Sequence, residues 1–294
     1  MIDAATVLLV VSTVRLATPL ALAAMGELVA ERAGVLNVGI EGMMLTGALA
    51  ACATGQATGS PSAGCLAGIA AGVAMSALFA LFVLRRAADP IVSGTALNVL
   101  ALGLTGVVFR SMIPPGGALA RAPQMGELGP GLNVYVLVAL ALVAAVAVFL
   151  DRTRPGLALR AVGERAEAAH VQGVEVLRLR WAAVLFGGAC AGLAGSSLVL
   201  WISDTFVEGM TSGRGFIALS LVLFGGYRPL RILAGALLFG AANALQFRLQ
   251  ASGSEIPYNL LLMTPYLLTL LVLALFAGRV RPPGDLARPF RARE

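Results

Sequence analysis

The side chains best able to do chemistry in this sequence are concentrated between Glu27 and Gly47, in ELVAERAGVLNVGIEGMMLTG. Glu27, Glu31 and Arg32 precede a glycine, Gly34, and beyond it an amide, Asn37, and a carboxylate, Glu41, enter an otherwise apolar run. A second amide, Asn98, stands near the middle of IVSGTALNVLALGLTGVVF. A carboxylate at bilayer depth costs about 2.5 to 3.5 kcal/mol on insertion scales unless it faces water or a partner, so its presence points to a functional polar site. Asn37 and Glu41 are four residues apart and would share one face of a continuous helix. The competing reading is structural, with Glu41 neutralised by Arg15 or hydrogen-bonded to unwound backbone. Gly34, Gly39, Gly42 and Gly47 do not fall on one helical stripe, which suggests close backbone approach or a helix broken part-way.

Other chemistries lack their residues. All 21 basic residues are arginine, so the phosphate-contacting lysine of a Walker A loop is missing. HExxH, GxSxG and GxGxxG are absent, and the single His170 has no metal-ligand neighbour at useful spacing. Ser196, Ser197 and Ser220 have no histidine or lysine within apolar sequence to activate them. Cys52, Cys65 and Cys190 are an odd, scattered set that reads as small core residues. We therefore expect no catalytic residues, no metal and no cofactor. The net charge of +6 comes from arginines between apolar segments, which act as topology signals and not as a nucleic-acid-binding face.

The elements that must position these residues follow from composition. With 59% hydrophobic and 12% charged residues and a mean hydropathy of +0.89, the chain has too little polar surface for a water-soluble globule. The expected fold is all-α, a single polytopic transmembrane bundle over residues 1–294 with about 8–9 membrane segments. The N-terminus has no positive n-region, so a removable signal peptide is not expected. Segment one, 6–25, contains Arg15 and Pro19 and is either a kinked span or an incomplete one; segment two, 35–52, carries Asn37 and Glu41. Segment three, 63–84, has Gly64, Gly68 and Gly72 at four-residue spacing, and segment six, 181–202, has Gly188, Gly192 and Ser196, both stripes that allow close helix packing. Segments four (91–109), five (134–150), eight (230–247) and nine (258–277) are ordinary apolar runs, and the long 110–133 connection has room for a short surface helix. The stretch near 212–226 is too short to span alone and must be extended within protein or re-entrant. Between 151 and 180 lie Arg152, Arg154, Arg160, Arg165, Arg178 and Arg180, a cytoplasmic marker with one or two short helices expected outside the bilayer. Placing that loop, Arg85, Arg86 and the arginine-rich C-terminus inside gives a self-consistent topology with Met1 outside.

ERAGVLNVGIEGMMLTGA, SGTALNVLALGLT, LRAVGERAEAA and IPYNLLLMTPYLLTLLVLA resemble permease subunits of bacterial ABC importers, the nucleoside type most closely, with simple-sugar and branched-chain amino-acid permeases as relatives. The resemblance implies residence in the bacterial plasma membrane and a partnership with ATP-binding subunits, a second related permease and an extracytoplasmic substrate-binding protein, in contact with membrane lipid and with no nucleic acid. It also implies that LRAVGERAEAAHVQG is an ATPase-coupling loop, carried here by Arg160, Gly163, Glu164, Ala168, Ala169 and Gly173. Asn37, Glu41 and Asn98 would then line the translocation pathway, where amides and a carboxylate can bond ribose hydroxyls and base edges weakly enough to allow release. A secondary transporter using Glu41 as proton carrier would leave the arginine-rich loop unused.

Overall fold

The computed structural model describes residues 4–112, 121–129, 131–251 and 281–290, with Met263, Leu267 and Ala274 besides. Ten helices are described: α1 (Ala4–Arg32), α2 (Ile40–Thr58), α3 (Pro61–Ala80), α4 (Pro90–Met112), α5 (Val134–Arg152), α6 (Arg154–Glu164), α7 (Ala166–Val171), α8 (Val176–Ser197), α9 (Arg214–Phe224) and α10 (Pro229–Ala251). The short strands β1 (Glu127–Gly129) and β2 (Leu132–Asn133) pair antiparallel before α5, where the sequence left room for a surface helix. Among the described residues six helices are long and apolar enough to cross a membrane: α1, α3, α4, α5, α8 and α10. Apart from Met263, Leu267 and Ala274, segment nine lies outside the described residues, and α2 and α9 stand apart from the six, so the count of eight or nine crossings is not reached here.

The helix boundaries have local causes. Pro61 and Pro90 open α3 and α4, where a missing N–H costs nothing. The Ser60 hydroxyl accepts from the Ala63 N–H at 3.4 Å, and the Asn133 side chain caps α5 by accepting from the Tyr135 N–H at 3.1 Å. α1 runs without a break through Arg15 and Pro19 to Arg32. Gly34, at φ +85°, then turns the chain: the Gly34 N–H donates to the Glu31 carbonyl and the Val35 N–H to that of Ala30, closing the helix with a left-handed residue.

The core is formed by α1, α2, α3 and α8, and small residues set its spacing. A Cβ on Gly47 would meet the Gly192 Cα at 2.7 Å, and one on Gly68 would meet the Gly47 carbonyl at 2.9 Å. Both stripes read from the sequence are therefore used, one against the other, to bring the backbones of α2, α3 and α8 together. α4 and α5 pack outside this core and leave large apolar side chains exposed, Val99 and Val107 of α4 among them at 67% and 71%.

The path between α8 and α10 explains the short apolar run. α8 starts beside the end of α1, where the Arg180 Nε donates to the Ala33 carbonyl at 3.1 Å, and the helical turn that continues it over Leu198–Ile202 reaches Arg15, about 25 Å back along α1. From there the chain returns to the Arg32 end, where the Arg32 guanidinium meets Tyr227. α9, with 11 residues, supplies about 16 Å of that return, and the partly exposed irregular segment 203–213 supplies the rest.

Candidate functional site

The opening motif is divided by the turn after α1. Glu27 and Glu31 belong to the last turns of α1 and are buried. Residues 35–39 climb back along α1 without helical structure, and the Asn37 backbone N–H donates to Glu27 Oε1 at 2.9 Å. Asn37 thus precedes α2, so the shared helical face expected for Asn37 and Glu41 does not form. The Asn37 amide is fully buried, with its Nδ2 directed at the Met43 sulfur at 3.4 Å.

Asn98 comes to the same turn from α4. Its Nδ2 donates to the Val38 carbonyl at 2.9 Å and its Oδ1 accepts from the Gly42 N–H at 2.8 Å, so one amide satisfies a donor and an acceptor that the unwound segment leaves open. Glu41, in the first turn of α2, accepts from the Gly213 N–H at 2.8 Å and from the Gly215 N–H at 2.6 Å. Those groups open α9, whose own sequence supplies no side-chain cap. The carboxylate therefore sits at two helix N-termini, its own and that of α9, which favour negative charge. Arg15 is committed elsewhere: its guanidinium donates to the carbonyls of Trp201 and Ile202 and lies over the Trp201 ring. Asn37, Glu41 and Asn98 are thus gathered around one broken-helix junction in the interior of the bundle.

The second constellation lies at the end of the bundle where α1 terminates. α6 and α7 form a short helical pair stapled by a small core of Val162, Ala166, Ala169 and Val176. Of the residues expected to couple to an ATPase, Gly163 and Ala169 face inward, Arg160 is half-buried, and Glu164, Ala168 and Gly173 are exposed. Gly173, at φ +83°, turns the chain out of α7. Val171, which sequence reasoning passed over, is 82% exposed on this element, an unusual position for an apolar side chain.

The segment 281–290 straps this pair to the bundle, and nothing in its sequence announced that role. Asp285 Oδ2 accepts from the Ala166 N–H at 2.7 Å, the Asp285 N–H donates to the Gly163 carbonyl at 2.9 Å, and the Ala287 N–H donates to the Gly34 carbonyl at 3.1 Å. Arg180, buried, bridges the Ala33 carbonyl and, through Nη1 at 2.9 Å, the Arg288 carbonyl. Leu84, Gly34, Arg180 and Arg288 line one crevice at this end of the bundle.

Tyr227 closes onto the end of α1. It occupies the left-handed region at φ +59°, unusual for a bulky residue, and in that conformation its carbonyl accepts from Arg32 Nη2 at 3.0 Å while the guanidinium lies 5.2 Å from its ring centroid. Burial and the neighbouring Glu31 push its phenol above the ordinary tyrosine range. At the far end, Arg110 of α4 makes a two-pronged ion pair with Glu208, at 2.8 and 3.2 Å, which holds that exposed carboxyl below its usual range. Among the described residues no cluster of three or more histidine, cysteine or acidic side chains could hold a metal ion.

Comparison with known proteins identifies the chain this geometry belongs to. A family model described as branched-chain amino acid transport system / permease component matches residues 9–276. A protein of Haloferax volcanii named as a glucose ABC transporter permease is 41% identical, covering 82% of this chain and 77% of its own length. The guanosine ABC transporter permease protein of Bacillus subtilis is 35% identical over 96% of each chain, and a nucleoside ABC transporter permease protein of Lactococcus lactis is 34% identical over 91% and 92%. A solved ABC transporter named as metal-chelate type, in an inward-facing conformation, superposes with a TM-score of 0.53 at 17% identity, over 93% of this chain and 90% of that one, a likeness of fold alone. The chain is a multi-pass ABC transporter permease, and it belongs to the branched-chain amino acid transport system / permease component family.

Proposed function

We propose that this chain is one of two related permease subunits of an ATP-driven importer and that its substrate is a nucleoside. The observation that carries the substrate class is the end-to-end match to a guanosine permease, 96% of both chains, joined by a nucleoside permease at similar coverage. A sugar is the second reading, favoured by the 41% identity to the permease named for glucose. Both cargoes offer vicinal hydroxyls, so discrimination rests on whether an aromatic base is accepted. The test is uptake of labelled guanosine, glucose and leucine by cells carrying the chain with its cognate ATP-binding and substrate-binding subunits. Guanosine uptake that disappears when the ATPase is inactivated supports the reading; uptake of glucose alone moves the chain to the sugar class.

In this reading ATP-binding subunits dock on the 151–180 region of a single-domain permease whose C-terminus is cytoplasmic, and an extracytoplasmic protein delivers cargo at the opposite end. The exposed face of α7, with Ala168 and Val171 outward, is suited to insertion in a partner's groove. Ala168→Trp is expected to leave membrane insertion intact and to abolish most uptake; full uptake with the ATPase still co-purifying would remove this element from the coupling path. Asn37, Glu41 and Asn98 lie beside the pathway in the same reading: their contacts hold open the broken-helix junction between α1, α2, α4 and α9, and backbone of that kind is tolerated in a membrane only inside protein or along a wet cavity.

A further inference from the structure

We propose that the cavity bounded by Arg32, Arg160, Arg228 and Arg231 binds a phosphate group, supplied by the headgroup of an anionic phospholipid. The inference rests on the membrane placement of the chain and not on its substrate. The cavity measures about 590 Å³ and is lined by those four arginines with one acidic side chain, Asp151. Asp151 reaches Arg160 only at 3.8 Å, and Arg32 is occupied on one nitrogen by the Tyr227 carbonyl. The Nε of Arg32 and the Nε of Arg160 are both buried with no acceptor among the described residues. A buried donor without an acceptor carries its full desolvation penalty, and guanidinium groups crowded around one space repel each other. A tetrahedral phosphate resolves both problems, because its oxygens accept from several forked donors and its charge offsets the excess of cations.

Position decides the source of that phosphate. Arg32 ends α1, Leu150 and Asp151 lie in the last turn of α5, and Pro229 begins α10, so the cavity sits where three apolar, membrane-length helices terminate. Leu230, 70% exposed, forms its apolar rim beside Arg231. Basic recesses between helix ends with an adjoining apolar surface match a lipid, which presents phosphate and acyl chain together. A free phosphate has no use for the apolar rim.

The test uses the full-length protein purified in neutral detergent and titrated with phosphatidylglycerol, phosphatidylcholine or inorganic phosphate, reading the thermal unfolding temperature and the lipid retained in native mass spectrometry. Phosphatidylglycerol is expected to raise the unfolding temperature and remain bound, and phosphatidylcholine to do neither. Arg228→Gln with Arg231→Gln changes exposed side chains only, so the lipid-free unfolding temperature should hold while the affinity for phosphatidylglycerol falls roughly tenfold or more. Arg160→Gln, removing one of the orphaned donors, should weaken it independently. Equal retention of the two lipids, or undiminished phosphatidylglycerol binding in both variants, overturns the proposal. A shift given by inorganic phosphate, to which phosphatidylglycerol adds nothing, overturns the lipid source. An arginine-dependent shift produced only by an added ATP-binding subunit makes the cavity a protein interface, and the proposal falls.

Discussion

Glu41 is held by two backbone N–H groups, and their loss is measurable. Glu41→Gln keeps the shape and one acceptor but removes the charge from the start of α9, a change expected to cost about 1 to 2 kcal/mol in stability. The unfolding temperature should fall and uptake should drop in the protein that remains. Because Arg15 bonds the carbonyls of Trp201 and Ile202, adding Arg15→Gln should not rescue the variant; recovery of membrane-inserted protein in the double variant would restore the ion-pair reading and remove Glu41 from the pathway. Asn98→Ala should cost about 2 kcal/mol, since it strands the Val38 carbonyl and the Gly42 N–H, and a thermal scan checks it. These polar residues were legible because a carboxylate or amide in an apolar run is conspicuous. Their partners were not: the groups bound by Glu41 are the N–H groups of Gly213 and Gly215, far along the chain, and backbone donors leave no trace in composition. The ion pair with Arg15 weighed for Glu41 is not formed, and the carboxylate is bonded instead to the N-terminal N–H groups of α9.

Elements with strong composition were readable and elements defined by contact were not. The alanine, glutamate and arginine content of 161–171 announced short helices in the 151–180 loop, where α6 and α7 are found, α6 starting earlier, at Arg154. The glycine stripes of α3 and α8 announced close packing because spacing alone places them on one face. By contrast the start of α2 was misplaced by five residues, since an apolar stretch that unwinds keeps the hydropathy of one that does not. The 281–290 strap has no periodicity, and its role lies in the bonds from Asp285 and Ala287 to Gly163, Ala166 and Gly34. Asp285→Ala removes the acceptor for the Ala166 N–H. Amide exchange across α7 should then rise several-fold, with exchange in α3 unchanged, and ATP hydrolysis by the assembled transporter should become less dependent on substrate. Unchanged exchange in α7 would show that the small core around Val162 holds the pair unaided.

For the molecule as a whole, the arginine distribution predicts sidedness. Single cysteines replacing Arg85, Arg165 or Arg288 in a cysteine-free background should resist an impermeant thiol reagent in intact cells; labelling of Arg165→Cys from outside would invert the topology. Hydropathy made the membrane class plain and could not fix the number of crossings, because α9 is about half the usual length of a spanning helix and is joined to the rest by irregular chain. The dependence of α9 on a carboxylate from α2 also bears on biogenesis. As the chain emerges from the ribosome, residues 203–228 are made long after α2, yet they cannot settle alone: the segment is short, and its first turn has no cap of its own. Insertion of this stretch should therefore be late and templated, with α1 and α2 already seated as the receiving surface. A fragment of residues 203–228, synthesised with membranes by itself, should be extracted by alkaline carbonate, and co-expression with residues 1–202 should retain it in the membrane.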